Sequence, residues 1–304
     1  MKDIIFKGCG TAICTPFDEK GEVNYDVFEK FIEFQIENKV DSIIVCGTTG
    51  ESATMSVDEK KEVIEFVVKK VNKRIPVIAG TGSNNTIEAV NMTKYAESVG
   101  ADGVLIVTPY YNKTTQKGLI KHYERIAQNT NLPIILYNVP SRTGVNIEPE
   151  TCVELSKIKN IVGIKEASGN VSQIAKIASL CGNELAIYSG NDDQILPVLS
   201  IGGIGVISVM SNIKPEYVHN MICEYKKGNI EKAEEMQIKA LELINLLFCE
   251  VNPIPIKSAL RIIGYNFGEP RLPLVKMSDE NLIKLESALK KWNSRKTLDF
   301  LLKM

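Results

Sequence analysis

The sequence predicts an α/β protein: a (β/α)8 TIM barrel followed by a three-helix C-terminal extension. Three observations predict it. Short apolar runs recur as strand onsets at intervals of roughly 20–35 residues, the period of one strand plus one crossover helix. The stretches between those runs carry helical period. Polar and glycine-rich residues gather after the strand candidates and hardly at all before them, as expected of a barrel whose chemistry sits on one face.

The strand candidates are residues 10–15, 42–46, 76–79, 103–107, 133–137, 161–165, 185–189 and 203–208. Apolar runs this short, bounded by turn signals, read as strands buried on both faces. The first helix, 24–38, places Val27, Phe28, Phe31, Ile32 and Ile36 on one face, with Asn24 as its cap. Ser56-Val57-Asp58-Glu59 is a capping box opening a helix that carries Val63, Ile64, Val67 and Val68. Similar segments follow near 86–99, 115–129, 148–156, 171–180, 192–199 and 215–227. Eight such units occupy about 220–230 residues, so the barrel is expected over 1–228. A doubly wound open sheet usually has fewer strands. From Asn229 onward the pattern is helical only, over 230–248, 256–263 and 278–292. Asn252-Pro253-Ile254-Pro255 and the Gly268–Pro273 stretch separate these segments, and the helical unit is expected over 229–304.

The chain has 304 residues, 44% hydrophobic and 24% charged, with a net charge of -1. Such a balance gives no electrostatic footing for nucleic acid or an anionic membrane, and no apolar run approaches the length of a transmembrane helix. The N-terminal segment has no apolar leader core, so a cytoplasmic protein is expected. Seven cysteines, an odd number without a CxxC pair, read as thiols in a reducing compartment. His122 and His219 stand far apart, which gives no zinc spacing. No phosphate-loop motif follows the first strand, and Gly80-Thr81-Gly82-Ser83 lacks the lysine of one. The expectation is therefore no metal and no bound cofactor, with chemistry carried by lysine, tyrosine, threonine, arginine and carboxylates.

Ile161–Lys165 runs from apolar residues straight into a lysine, and the chain then turns polar at Glu166-Ala167-Ser168-Gly169. A lysine sheltered at a strand end loses the solvation that favours its charge, and a neutral amine is a nucleophile toward carbonyls. The competing reading is a lysine that reaches out to solvent. Tyr137 closes the neighbouring strand, and adjacent strands lie about 4.8 Å apart, so its hydroxyl can reach that amine or an adduct on it; it can equally be a barrel-layer aromatic. Gly47-Thr48-Thr49-Gly50 can aim backbone N–H groups and two hydroxyls at a carboxylate, or be a capping turn. Arg142, in a turn after Pro140, can clamp a carboxylate with its fork, or be a surface arginine. Gly190 and Ile207 read as packing residues that can also shape a pocket floor. Gly202-Gly203-Ile204-Gly205 precedes the last strand and reads as close packing.

Taken together, Thr11-Ala12-x-x-Thr15-Pro16-Phe17, Gly47-Thr48-Thr49-Gly50-Glu51, Tyr110-Tyr111-Asn112, Tyr137 through Thr143, and Gly163 through Gly169 resemble the pyruvate-dependent class I aldolases, the family of the dihydrodipicolinate synthases and N-acetylneuraminate lyases. The resemblance covers essentially the whole chain. Paired threonines, Arg142 and the Lys-Glu-Ala-Ser-Gly run side with the synthase branch. It implies that Lys165 forms an imine with pyruvate, that Thr48 and Thr49 hold the pyruvate carboxylate, and that L-aspartate 4-semialdehyde is the second substrate, bound by Arg142. It implies a proton relay of Tyr137, Thr48 and Tyr111, the last from a neighbouring subunit of a homotetramer built as a dimer of dimers. It further implies a place in diaminopimelate and lysine biosynthesis.

Ser52, Ala53, Asn84, Glu88 and Tyr110 match positions lining an allosteric lysine pocket in inhibited members. Two histidines of those members are Val57 and Lys60 here, and a cation at Lys60 opposes a cationic effector. Weak or absent feedback is expected. A sugar-acid aldolase or lyase is the alternative within the family. A non-catalytic barrel that senses small acids is the alternative outside it.

Overall fold

The computed structural model describes residue 2 and residues 4–301. Met1 and Asp3 of the N-terminal segment, and residues 302–304 of the expected C-terminal unit, lie outside the described residues. Eight parallel strands close into a barrel in sequence order. They are β1 (Gly8–Ala12), β2 (Ser42–Val45), β3 (Val77–Gly80), β4 (Gly103–Val107), β5 (Ile134–Asn138), β6 (Ile161–Glu166), β7 (Ala186–Ser189) and β8 (Gly205–Ser208). The crossover helices are α1 (Tyr25–Glu37), α2 (Val57–Val71), α3 (Thr86–Ser98), α4 (Gln116–Ala127), α5 (Pro140–Thr143), α6 (Pro149–Ser156), α7 (Val171–Cys181) and α8 (Ile195–Ser200). After β8 come α9 (Pro215–Lys226), α10 (Ile230–Leu247), α11 (Ile254–Ile262) and α12 (Asp279–Leu301).

The expected helix starts form as their side chains dictate. Asn24 accepts a hydrogen bond from Val27 N at 3.1 Å, and Ser56 and Glu59 exchange the reciprocal bonds of a capping box. Several strand ends shift by one to three residues from expectation, most at β1 and β8, and one expected turn is a helix. The first strand begins at Gly8 rather than Gly10, because Gly8 through Thr11 pair with Gly205 through Ser208. Gly8 takes φ +113°, and a Cβ on Gly205 would fall 2.1 Å from Gly8 O, so both must be glycine. The close packing expected of the Gly202–Gly205 stretch is made by Gly205 against Gly8. The turn after Pro140 is a short helix, with proline in its first turn.

The core divides into two shells by strand parity. Ile44, Ile78, Leu105, Ile135, Tyr137, Tyr188 and Ile207 point into the barrel. Ile43, Val45, Val77, Ala79, Val104, Ile106, Ile134, Leu136, Ile164, Ile187 and Val206 point out against the helices. Each strand is therefore apolar on both faces, which is why its run is continuous rather than alternating. Phe6 stacks on Tyr188 with ring centroids 4.5 Å apart at the N-terminal end of the barrel. Among the described residues no helix is long and apolar enough to cross a membrane.

Candidate active site

Strand parity positions the central lysine. Ile164 belongs to the outer shell, so Lys165 points inward and Glu166 points outward. The register pairs Tyr137 with Lys165 and Asn138 with Glu166 across β5 and β6. On the other side it pairs Lys165 with Tyr188 of β7. Lys165 is only 6% exposed, and its Nζ lies 4.3 Å from the centroid of the Tyr137 ring. The amine thus lies over the face of the Tyr137 ring, where a cation is attracted. A Cβ on Gly190 would fall 3.1 Å from Lys165 Cε and 2.6 Å from Ala167 Cβ. Gly190 therefore leaves the lateral space that the lysine chain occupies. Ile207 is fully buried in the same inner shell.

Behind the lysine, on the outer face, lies a polar network. Asn138 Nδ2 donates to Glu166 and, at 2.9 Å, to Asn146 Oδ1. Ser168 Oγ donates to Glu166 Oε2 at 2.5 Å. Burial pushes the Glu166 carboxyl above its ordinary range, and the Ser168 and Asn138 hydrogen bonds oppose that shift. Asp192, fully buried beyond β7, accepts from Val209 N at 3.0 Å and Met210 N at 2.9 Å. Burial raises its carboxyl too, against hydrogen bonds from Ser208 and those amides and a smaller electrostatic pull from Lys165. These groups fix the strand ends that carry Lys165, Tyr137 and Gly190.

The second strand delivers the loop Gly47-Thr48-Thr49-Gly50-Glu51 to the same C-terminal rim. Cys46 at φ +54° and Glu51 at φ +55° flank it in the left-handed region. Thr15 Oγ1 donates to Gly50 O at 2.8 Å, and Asn252 Nδ2 donates to Thr49 Oγ1 at 3.0 Å. Arg142, exposed on α5, donates from Nη2 to the backbone oxygen of Asn252 at 3.3 Å. Asn252 therefore ties Thr49 to Arg142, two candidate carboxylate ligands that lie 93 residues apart by number (142 − 49). Its own Oδ1 is buried without a partner among the described residues.

Glu51 is the loop's anchor. Its side chain and that of Lys257 on α11 are both 0% exposed, with Lys257 Nζ 2.5 Å from Glu51 Oε1. Arg271 N donates to Glu51 Oε2 at 2.9 Å, and Lys257 Nζ lies 4.1 Å from the Phe17 ring centroid. Burial lowers the Lys257 ammonium from its ordinary range, and Glu51 opposes that. Arg271 also donates to Glu59 at 2.5 Å and to Gly21 O at 2.7 Å, which joins the loop to the start of α2.

Of the residues expected from sequence, the barrel brings Tyr137 and Gly190 against Lys165, with Ile207 in the same inner shell. It holds Thr48, Thr49 and Arg142 in the loops above. Tyr111 stands apart: it sits at φ +70° and is 91% exposed, so it lines no site of its own chain. Ser52, Ala53, Asn84, Glu88, Tyr110 and Lys60 lie on the loops and helices after β2, β3 and β4. Lys60 Nζ is 4.0 Å from Glu88 Oε1, and Ser83 Oγ donates to Glu88 Oε2 at 3.1 Å. The sequence reading missed Asn252, Lys257, Arg271, Glu51 and Asp192 as site-building residues. Lys257 did carry a signal: it is the one lysine on a helix face of Ile254, Ile256, Ala259 and Leu260, where a charge requires a buried counter-charge.

Residues 5–292 match the dihydrodipicolinate synthetase family. The 4-hydroxy-tetrahydrodipicolinate synthase 1 of Clostridium acetobutylicum is 57% identical over 286 residues, 94% of this chain and 97% of that protein. The crystal structure of dihydrodipicolinate synthase from Thermotoga maritima superposes with a TM-score of 0.92 at 45% identity, covering 95% of this chain and 99% of that one. A solved monomeric dihydrodipicolinate synthase variant gives a TM-score of 0.92 at 45% identity, covering 94% of this chain and 96% of its own.

Proposed function

The chain belongs to the dihydrodipicolinate synthetase family, and from that premise we propose that it condenses pyruvate with L-aspartate 4-semialdehyde to 4-hydroxy-tetrahydrodipicolinate, on the route to diaminopimelate and lysine, through a Schiff base on Lys165. One observation carries the assignment of the lysine: it points into the barrel, is buried, and sits against the ring of Tyr137 at the C-terminal rim.

The Lys165 amine attacks the ketone carbon of pyruvate, and water leaves as the imine forms. Thr48 and Thr49 hold the pyruvate carboxylate with hydroxyl and backbone donors. The imine is a better electron sink than the ketone, so a methyl proton is released to give an enamine. The enamine carbon attacks the aldehyde carbon of the semialdehyde, whose carboxylate is held by the Arg142 fork. Tyr137 and Thr48 pass the proton that the new alkoxide requires, and Tyr111 of a second copy completes the relay. The amine of the incoming half then attacks the imine carbon, closes the six-membered ring and frees Lys165. Gly190 and Ile207 bound the cavity in which this occurs.

The same reading makes the protein a homotetramer, a dimer of dimers. Support comes from Ile87 in the first turn of α3 and from Tyr110 and Tyr111 in the loop after β4, large apolar side chains left exposed. Seven free thiols suit a reducing cytoplasm. The allosteric positions Ser52, Ala53, Asn84, Glu88, Tyr110 and Lys60 lie on the loops and helices after β2, β3 and β4, with Lys60 already paired to the carboxylate an effector's amine would seek.

The test is borohydride reduction in the presence of pyruvate, followed by peptide mapping. A single carboxyethyl adduct on Lys165 is expected, together with turnover of pyruvate plus semialdehyde and none of N-acetylneuraminate. An unmodified Lys165, or a Lys165→Ala protein that condenses the two substrates at the unmodified rate, overturns the proposal.

A further inference from the structure

On the opposite face of the barrel, away from the catalytic rim, Asp41, His219 and Cys223 form a line. Asp41 immediately precedes β2, and His219 and Cys223 lie one turn apart on α9. Asp41 Oδ2 is 2.9 Å from His219 Nδ1, and His219 Nε2 is 3.3 Å from Cys223 Sγ. A carboxylate can only accept, so Nδ1 carries the ring hydrogen and Nε2 turns its lone pair toward the thiol. The S–H therefore donates to Nε2. The carboxylate is itself oriented, accepting from Cys9 N at 2.7 Å. Because Asp41 and Cys223 address opposite nitrogens of one ring, the three cannot chelate a single ion. The arrangement suits proton transfer instead.

We propose that Cys223 is a base-assisted reactive thiol, a modification site that exchanges with low-molecular-weight disulfides. The nucleophile, base and orienting carboxylate are in hydrogen-bond reach in the order that activates a thiol. His219 Nε2 takes the thiol proton as Sγ attacks one sulfur of the disulfide. The new S–S bond forms as the old one breaks, and the departing thiolate takes the proton from the imidazolium. Cys223 is oxidised and the small disulfide is reduced by the same two electrons. Lys226, whose Nζ donates to Ile204 O at 3.0 Å, stands in electrostatic contact with both Asp41 and Cys223, and a nearby cation stabilises a thiolate. Cys223 is half-buried, and the His219 and Asp41 side chains are 22% and 26% exposed, so a small reagent has access.

The other cysteines supply an internal standard. Cys249 is exposed, has no hydrogen-bonded base among the described residues, and burial with Glu250 beside it raises its thiol above the ordinary value. Cys9, Cys14, Cys46, Cys152 and Cys181 are buried. The experiment treats the intact protein at neutral pH with oxidised glutathione and reads each thiol by peptide mass. An unassisted thiol is only a few per cent thiolate near pH 7, so base assistance is expected to make Cys223 react about tenfold faster than Cys249. His219→Gln is expected to abolish that lead without changing the Cys249 rate, and Cys223→Ser to keep its turnover. Cys223 reacting no faster than Cys249, or a lead that survives His219→Gln, overturns the inference. Should that variant unfold, all seven thiols label together, and the ranking in the intact protein with Asp41→Asn as second variant decides.

Discussion

Replacing Lys257 with methionine tests whether the C-terminal helices hold the Gly47–Glu51 loop. Methionine keeps the length and the apolar stem, so packing changes little and the charge is what goes. Both side chains of the Glu51–Lys257 pair are fully buried, and their charged atoms are 2.5 Å apart. At an effective dielectric of about 20, a pair at that distance attracts by roughly 6–7 kcal/mol before desolvation is subtracted. Removing one partner of such a pair strands the other charge and costs about 3–5 kcal/mol. For a chain of this size, with a shift near 2 °C per kcal/mol, Tm falls by about 6–10 °C. Calorimetry on Lys257→Met, Glu51→Gln and the double variant reads this directly. The double variant is expected to cost less than the sum of the singles, because it leaves no unpaired charge. Initial rates should show KM for pyruvate rising more than kcat falls, since the loop and not the amine is disturbed. A Lys257→Met protein within about 2 °C of the parent, roughly 1 kcal/mol, with strict additivity in the double, refutes the reasoning.

Tyr137→Phe keeps the ring beside Lys165 but removes the hydroxyl proposed to transfer the proton; kcat should fall by about 10²–10⁴-fold while borohydride trapping of pyruvate persists, and loss of trapping would contradict the proposed role. Arg142→Ala should raise KM for the semialdehyde by roughly 10–100-fold, the value of a charge-assisted hydrogen bond near 1.5–3 kcal/mol, with KM for pyruvate unchanged in the same steady-state runs. L-Lysine should inhibit weakly or not at all, because Lys60 already faces Glu88; a clear inhibition curve at modest lysine, lost in Glu88→Ala, would count against this. Asp192→Asn should change the pH dependence of stability. Burial raises the native Asp192 carboxyl above its unfolded value, so the native state binds the proton more tightly, and this contribution is lost as pH rises through the folded value. The stability of the parent relative to Asp192→Asn should therefore decline from about pH 4 upward, measured by denaturant unfolding; a flat or rising difference is the contrary result.

The barrel was legible because each strand is sandwiched between two apolar shells, so each reads as an uninterrupted apolar run ending at a polar turn. Lys165 was legible for the same reason: a charged residue closing such a run has to be housed. The start of β1 was not legible. Gly8-Cys9-Gly10 looks locally like a turn, and only contact with Gly205, nearly two hundred residues on, makes it a strand. The helix at Pro140–Thr143 hid inside a turn signal, since proline opens both. Asn252 and Lys257 were out of reach as partners. They meet Thr49 and Glu51 at sequence separations of 203 and 206, and no local pattern encodes which distant loop a helix will meet. The proline-rich stretch around Asn252 announced a break between helices, and it is that break which points the asparagine at the rim.

The loop geometry itself argues for this division of labour. Cys46 and Glu51 both hold left-handed backbone conformations without being glycine, each costing on the order of 1 kcal/mol or more. Such conformations persist only where the surroundings over-determine them. The barrel contributes one constraint, Thr15 on Gly50. Three more come from beyond the last strand: Asn252 on Thr49, Lys257 on Glu51 and the Arg271 amide on Glu51. The closed sheet therefore determines where the amine stands, and the C-terminal segment determines how the Gly47–Glu51 loop is shaped above it. Preorganised catalysis needs both, because a loop free to relax its left-handed turns would lose the aim of its donors before any substrate arrived.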